Sequence, residues 1–242
     1  ERNELYTHMF LLCSDHVHSV STVAWRVWKA ITPSTTRMLN NILPTLINTI
    51  THDLAGSDDG ATQTASHCLF DLVHKLGDRV LRDVVPILLQ KSEEVGVNDV
   101  YTQCGISLGF QQIFRSATKG MLSPYNPDIF PMVLSSLASP HLAVRQAGTK
   151  AFGSYCRALS AEPVVTEIVP KLLQYIDLYN DTYIQLSTKY PQYTDNGDHS
   201  NVIADNELWN DRESLTPEEL RCIHSQSPHT IYNASADVLD GL

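Results

Sequence analysis

Four short motifs that hold a proline among aliphatic residues recur along the chain at nearly constant spacing. They are ILPTL, VVPIL, IFPMV and IVPKL, centred on Pro44, Pro86, Pro131 and Pro170, at intervals of 42, 45 and 39 residues. A period near 40 residues is typical of arrays of stacked helical pairs. The spacing therefore predicts an all-α solenoid, in which each repeat buries its apolar face against its neighbours.

Each motif lies inside a longer pattern that indicates an amphipathic helix. Around Pro44 the apolar residues follow three- and four-residue steps, which mark one face of a helix. A proline inside a helix removes one backbone donor and bends the helix. A proline-bent first helix in every pair is typical of HEAT repeats, so we predict an α-α superhelix (HEAT-repeat solenoid) of about five helical pairs.

Turn residues divide the first 176 residues of the chain into repeats. Helical pairs are predicted near residues 3–31, 34–77, 79–117 and 124–159, with a fifth first helix at 163–176. Residues 177–228 are rich in Asn, Asp, Ser and Tyr, and we expect a partly disordered acidic insertion there, with a short helix near 216–224. The helical pattern returns at 229–242, which we expect to be a truncated second helix of the fifth repeat.

The second helices align with one another at steps of 41, 41 and 42 residues. This alignment gives equivalent positions to Ser21, Thr62, Gln103 and Arg145, and it predicts that Ala24, Gly105 and Ala147 are the small residues facing the first helices. Arg145 is the repeat-defining arginine of this set. We expect it to reach an aspartate of an adjacent turn, either Asp99 or Asp128, and to have a local structural role.

The N-terminal pair carries two tryptophans with two possible roles. The spacing predicts a buried stripe of Val20, Ala24, Val27, Trp28 and Ile31. Exposed tryptophans often anchor protein interfaces, so Trp25 and Trp28 are candidates for a partner hot spot. Their helical spacing favours packing in the core instead.

Acidic residues outnumber basic ones most strongly near the C-terminus. The formal charge is −10, and residues 1–176 hold 14 Lys and Arg against 15 Asp and Glu, whereas residues 177–242 hold 3 against 12. Phosphate would repel the C-terminal part of the chain. The basic residues before it are dispersed, and those that form a possible partner surface are Arg79, Arg82, Arg115, Lys119 and Arg157.

The motifs of common enzymes and cofactor sites do not occur in the sequence. There is no nucleophile elbow, phosphate loop or CxxC pair, and the histidines and cysteines near His16 and His74 lack the paired spacing of zinc ligands. We therefore expect neither an enzyme nor a binder of metals, cofactors or small-molecule substrates. Five scattered cysteines predict reduced thiols in a cytoplasmic protein. No apolar run is long enough to cross a membrane, and the first residue, Glu1, suggests a fragment.

Several longer strings resemble one particular HEAT family. The strings AWRVWKAI, NILPTLINTI, DLVHKLGDRVLRDVVPIL, GISLGFQQIFRSAT, AVRQAGTKAF and EIVPKLLQYID follow one another over roughly residues 5–176. Their order and spacing resemble successive repeats of the general-control translational activator family, and DLVHKLGDRVL is the most specific string. The acidic segment after residue 176 has no counterpart in that pattern, and among the aligned positions only Arg145 keeps the arginine typical of such repeats.

The resemblance implies a function that periodicity alone does not. It implies a non-enzymatic scaffold that contacts the ribosome and the amino-terminal module of the kinase of initiation factor 2 alpha, and that acts in the response to amino-acid starvation. Two alternatives share the same architecture: a nuclear transport receptor of the karyopherin type, and a regulatory scaffold subunit of another enzyme. Binding to ribosomes or to a small nuclear GTPase would separate the first two hypotheses.

Overall fold

The computed structural model describes residues 2–96, 98–137, 139, 141–159, 164–170 and 173, and in these residues the chain is all-α without a strand. The helices are α1 (Arg2–Cys13), α2 (His18–Ile31), α3 (Thr35–Leu54), α4 (Asp59–Leu76), α5 (Asp78–Glu94), α6 (Val100–Ser116), α7 (Lys119–Leu122), α8 (Asn126–Leu137) and α9 (Leu142–Ala158). A 3-10 turn at Ser123–Tyr125 joins α7 to α8, and a π-helical turn occupies Val164–Ile168. The all-α prediction is confirmed. The insertion predicted at 177–228 and the helix predicted at 229–242 lie outside the described residues.

Polar side chains and one glycine fix where the helices begin and end. The Ser34 side chain accepts a hydrogen bond from the backbone N–H of Arg37 at the start of α3, and the Asp58 carboxylate accepts from two backbone N–H groups of α4. Asp99 caps α6 in the same way. These caps satisfy donors that have no partner inside the helix. Gly77 separates α4 from α5 with a φ of 58°, a left-handed conformation that favours glycine.

The helices form two layers. Helices α3, α5 and α8 pack against one another in the first layer, and α4, α6 and α9 do so in the second. The second-layer helices run parallel, because Thr102 of α6 donates to the Ala55 carbonyl beside the start of α4 at 3.1 Å, whereas Phe114 contacts Tyr155 near the ends of α6 and α9. Each connection within a pair therefore lies at one edge of the solenoid, and each connection between pairs lies at the opposite edge.

The repeat-defining prolines have a common environment. Pro44, Pro86 and Pro131 lie inside α3, α5 and α8, and their side chains are exposed. Pro170 follows the π-helical turn in a helical segment and is also exposed. Next to them in sequence, Leu43 and Val85 are buried in the core, and Phe130 and Val169 are half-buried and pack against it.

Two glycines allow second-layer helices to approach first-layer backbone closely. A Cβ atom on Gly105 would overlap the carbonyl oxygen of Leu54 at the end of α3, and one on Gly148 would overlap the Ser136 side chain of α8. The alignment that placed Ala147 in this role is wrong by one residue, because Ala147 is half-buried and Gly148 makes the contact. Gly105 also faces α3 of the preceding pair rather than α5 of its own pair.

The N-terminal pair packs differently from the later pairs. Helix α1 contacts both α3 and α4, whereas α2 packs mainly on α1. Ala24 and Trp28 are buried as predicted, and the Trp28 ring packs against Tyr6 and Phe10. The rest of the predicted buried stripe is wrong: Val20, Val27 and Ile31 are 38%, 38% and 41% exposed. The reason is that α1, and not α2, occupies the position next to the second pair.

Candidate interaction surface

Charged side chains are segregated between the two edges of the solenoid. We call the edge where second-layer helices end and first-layer helices begin the basic edge. Its Lys and Arg residues, all exposed, are Arg37, Lys75, Arg79, Arg82, Arg115, Lys119 and Arg157. Its acidic residues are Asp71, Asp78, Asp83 and Asp128. The excess of positive charge follows three successive repeats.

The opposite edge, where the two helices of a pair are joined, has the reverse charge. We call it the acidic edge. Its carboxylates are Asp53, Asp58, Asp59, Glu93, Glu94 and Asp99, against the half-buried Lys91 and the buried Arg145. Asp58 and Asp99 have a structural role here, because their carboxylates cap α4 and α6. The near balance of charges in residues 1–176 therefore hides two oppositely charged edges.

All five residues predicted as a possible partner surface lie on the basic edge. Arg79 and Arg82 belong to the first turns of α5, Arg115 to the last turn of α6, Lys119 to the start of α7 and Arg157 to the last turn of α9. The start of α5 is close to α7, since Gly77 lies beside the Met121 side chain. The structure thus brings together residues that are separated by up to 78 positions in the sequence.

Aromatic contacts hold part of this edge in place. The Arg115 guanidinium lies 5.7 Å from the centre of the Phe70 ring, and it donates a hydrogen bond to the Gln112 side chain at 3.2 Å. The Phe70 ring in turn stacks on His74 with an interplanar angle of 4°. A cation over an aromatic face is attracted by the ring quadrupole. Arg115 is therefore oriented before any partner arrives.

The basic edge has few internal ion pairs. Lys75 lies 3.7 Å from the Asp71 carboxylate and 5.5 Å from the centre of the Trp25 ring. In the parts of the chain that the structure describes, neither Arg79 nor Arg82 forms an ion pair. Their guanidinium groups are exposed to solvent, and guanidinium is well suited to bidentate hydrogen bonds with phosphate or carboxylate.

Arg145 differs from the arginines of the basic edge because it is buried. It is 5% exposed, and its Nη1 donates to the carbonyl oxygen of Ser139 at 2.8 Å. This bond ties the first turn of α9 to the connection from α8. The predicted partners were Asp99 and Asp128, whereas the bond observed here is to a backbone carbonyl. Such a contact has a structural role and is not available to a partner.

An open cleft lies beside the acidic edge. It has a volume of about 590 Å³ and lies between α1 and the α3–α4 connection, with His8, His16 and Asp53 in its wall. His16 contacts Asp15 at 3.6 Å. Among the described residues, no three His, Cys, Asp or Glu side chains are arranged to hold a metal ion. The cleft is a solvated groove between repeats.

The described cysteines have the properties of structural thiols. Cys13, Cys68 and Cys156 are buried and free, and Cys104 is half-buried and free. Burial raises the pKa of Cys13 to about 11 and that of Cys156 to about 11, and it also raises the pKa of Cys68. A raised pKa keeps the thiol protonated at neutral pH, and the protonated form is a poor nucleophile.

Paired helices in two layers, with exposed prolines inside the first helices, define a HEAT-type α-solenoid with two oppositely charged edges. The chain belongs to the family whose model is described as stalled ribosome sensor GCN1-like, HEAT repeats, which matches residues 33–182. The resemblance seen in the sequence is thereby confirmed. In the described helices, none is both long and apolar enough to cross a membrane.

Curated relatives that are named GCN1 come from distant organisms. The eIF-2-alpha kinase activator GCN1 of Dictyostelium discoideum is 30% identical over 179 residues, and the stalled ribosome sensor GCN1 of Homo sapiens is 28% identical over 181 residues. The eIF-2-alpha kinase activator GCN1 of Saccharomyces cerevisiae is 26% identical over 176 residues. Each match covers 73% of this chain and 6% of the relative. No solved structure matches the chain.

Proposed function

We propose that this chain is a non-enzymatic scaffold segment of a ribosome-associated activator of the kinase of initiation factor 2 alpha. It acts in the cytoplasm, in the response to amino-acid starvation. The observation that carries the proposal is the family match over residues 33–182, which spans α3 to α9. The relatives are named as a kinase activator and as a stalled ribosome sensor, and we propose that this chain takes part in both activities.

The surface of the solenoid is consistent with a scaffold. Its charged edges are long and exposed, and the cleft between α1 and the α3–α4 connection is open. Surfaces of this kind suit extended contacts with macromolecules, because solenoids offer continuous faces rather than enclosed pockets. We propose two partners, the ribosome and the amino-terminal module of the kinase, and no small-molecule substrate.

Co-sedimentation tests the ribosome contact. The full 242-residue chain is mixed with purified eukaryotic ribosomes and centrifuged through a sucrose cushion, and the pelleted fraction is compared with that of the chain alone. We expect pelleting that depends on ribosomes and decreases with added salt. Binding to a small nuclear GTPase with no ribosome binding would contradict the proposal and favour a karyopherin-type transport receptor.

A pull-down tests the kinase contact separately. The chain is incubated with the immobilised amino-terminal module of the kinase and, as a control, with an immobilised unrelated acidic protein of similar size. Retention of the chain on the module but not on the control protein would support direct activation of the kinase through this segment. Ribosome binding without retention would limit the segment to the ribosome contact.

A further inference from the structure

We propose that the basic edge binds the phosphate backbone of RNA. The inference deepens the proposed function, and it rests on that function for the source of the RNA, which would be the ribosome. The residues that carry it are Arg79 and Arg82, supported by Arg115, Lys119 and Arg157. The contact requires no base recognition, because all of these side chains are suited to phosphate oxygens.

Stabilisation of the fold does not explain Arg79 and Arg82. Cations near the end of a helix compensate the negative end of its dipole, which accounts for Arg115 and Arg157 in the last turns of α6 and α9. Arg79 and Arg82 instead lie in the first turns of α5, at the positive end, where a cation is unfavourable. In the described residues they form no ion pair that would offset this placement. Their positive charge therefore remains available for an anionic partner.

The dimensions of the edge fit a nucleic acid strand. Packed helices are about 8–10 Å apart, so the ends of α4, α6 and α9 extend over roughly 20 Å of solenoid. Over that length a strand presents several phosphates, since their spacing along the axis is about 3.4 Å. A strand that follows the edge meets basic side chains from each of three successive repeats.

Several features favour RNA over an acidic protein surface. Four of the five residues are arginine, whose planar guanidinium forms bidentate bonds with phosphate. The positive groups continue from repeat to repeat, as a regular polyanion requires, and His74 presents an exposed ring stacked on Phe70 beside Arg115. The acidic edge on the other side restricts a polyanion to one orientation of the solenoid.

Fluorescence anisotropy with a labelled 20-base-pair RNA duplex tests the inference on the full chain. We expect R79Q/R82Q to bind about tenfold more weakly at 100 mM KCl. The slope of log affinity against log salt should decrease by about 2, or about one for each lost phosphate contact. The matched control is K91Q/K150Q, which removes two positive charges away from the basic edge and should bind like the wild type.

Three results would overturn the inference. Equal RNA affinity of R79Q/R82Q and K91Q/K150Q, with all proteins folded by circular dichroism, would show that the basic edge does not contact RNA. A polyglutamate peptide that binds as tightly as the duplex, with the same loss in R79Q/R82Q, would assign the edge to an acidic protein. Ribosome co-sedimentation of R79Q/R82Q that equals that of the wild type would refute the RNA contact while leaving the proposed function in place. If the wild-type chain bound the RNA duplex but did not co-sediment with ribosomes, RNA binding by the basic edge would be supported and the proposed ribosome contact would be contradicted.

Discussion

Replacing Gly105 with alanine should destabilise the solenoid, although alanine is the better helix former. Gly105 lies in α6 where this helix crosses the end of α3, and a Cβ atom there would overlap the carbonyl oxygen of Leu54 and lie 2.7 Å from its carbonyl carbon. These are backbone atoms, so no side-chain rotation can relieve the overlap. The two helices must therefore move apart.

The magnitude follows from three terms of different sign. Forcing extra volume into a packed contact costs about 1–3 kcal/mol. Separation also strains the 3.1 Å hydrogen bond from Thr102 to the Ala55 carbonyl, one turn away from Gly105, and such a bond contributes about 1 kcal/mol. The higher helix propensity of alanine offsets about 1 kcal/mol. We expect Gly105→Ala to lower the free energy of unfolding by about 1–3 kcal/mol.

Two other helical glycines provide matched controls. A Cβ on Gly153 in α9 has only the Arg157 guanidinium nitrogens near it, at 3.9 Å, so Gly153→Ala gains helix propensity without a clash and should stabilise by up to about 1 kcal/mol. A Cβ on Gly109 lies 2.9 Å from the Cδ1 of Leu54, a side-chain atom that can move. Gly109→Ala should therefore fall between the other two.

Urea unfolding of the full chain, followed by circular dichroism at 222 nm, measures the effect. The three variants and the wild type are compared by their urea midpoints, after checking that the slopes of the free energy of unfolding against urea agree. A changed slope would indicate a different compactness of the unfolded or native state, or loss of two-state unfolding. We expect the highest urea midpoint for Gly153→Ala, an intermediate one for Gly109→Ala and the lowest for Gly105→Ala. A midpoint for Gly105→Ala at or above that of the wild type would refute the close packing of α6 on α3.

Three further predictions concern other buried groups. Trp28→Ala should cost about 3–5 kcal/mol in a thermal or urea unfolding experiment, because the ring is fully buried, whereas the half-buried Trp25 should cost clearly less when truncated. Arg145→Ala removes a buried charge-assisted hydrogen bond and should cost about 1.5–3 kcal/mol, with a lower melting temperature and unchanged RNA affinity. Because burial raises the pKa of Cys13 and Cys156 to about 11, these two thiols should react with a thiol reagent at pH 8 at least tenfold more slowly in the native chain than in the urea-unfolded chain. The native state keeps protons that the unfolded thiols lose, so the urea midpoint should fall as the pH rises from about 9 towards 11.

Local patterns were sufficient to predict most of the fold. The apolar steps and the internal prolines indicated where first-layer helices lie, and Pro44, Pro86 and Pro131 are inside helices in the structure. The helical spacing of the tryptophans favoured core packing, which is confirmed for Trp28. Trp25 also packs on Phe10. These features depend on neighbours within a few turns, which the sequence displays directly.

Features that depend on contacts between repeats could not be predicted in this way. Alignment of the second helices assumed that α2 takes the same place as α4 and α6, but the structure puts α1 beside the second pair. Small residues occur at adjacent positions in α9, and periodicity could not decide between Ala147 and Gly148. Arg145 donates to the Ser139 carbonyl, and a bond to a backbone carbonyl has no signature in the sequence. Charge counts over residues 1–176 were nearly balanced because the second and third helical pairs contribute acids to one edge, whereas basic residues collect at the other.

The separation of the two edges leads to a last prediction, about how RNA binding depends on salt. Helix α5 has 17 residues, so the edges are about 25 Å apart at a rise of about 1.5 Å per residue. The Debye length is about 8 Å at 0.15 M salt but about 30 Å at 0.01 M. At physiological salt the acidic edge is therefore screened from RNA on the basic edge, and at low salt it is not.

We expect the logarithm of the RNA affinity to rise linearly with falling log KCl concentration between 200 and about 50 mM. Below about 20 mM it should level off, because repulsion of the RNA by the acidic edge begins to act. The variant E93Q/E94Q, whose exposed carboxylates cap no helix, should extend the linear range at low salt and leave the affinity at 150 mM unchanged. If it strengthened binding equally at 10 and 150 mM, the two edges would not be electrostatically independent.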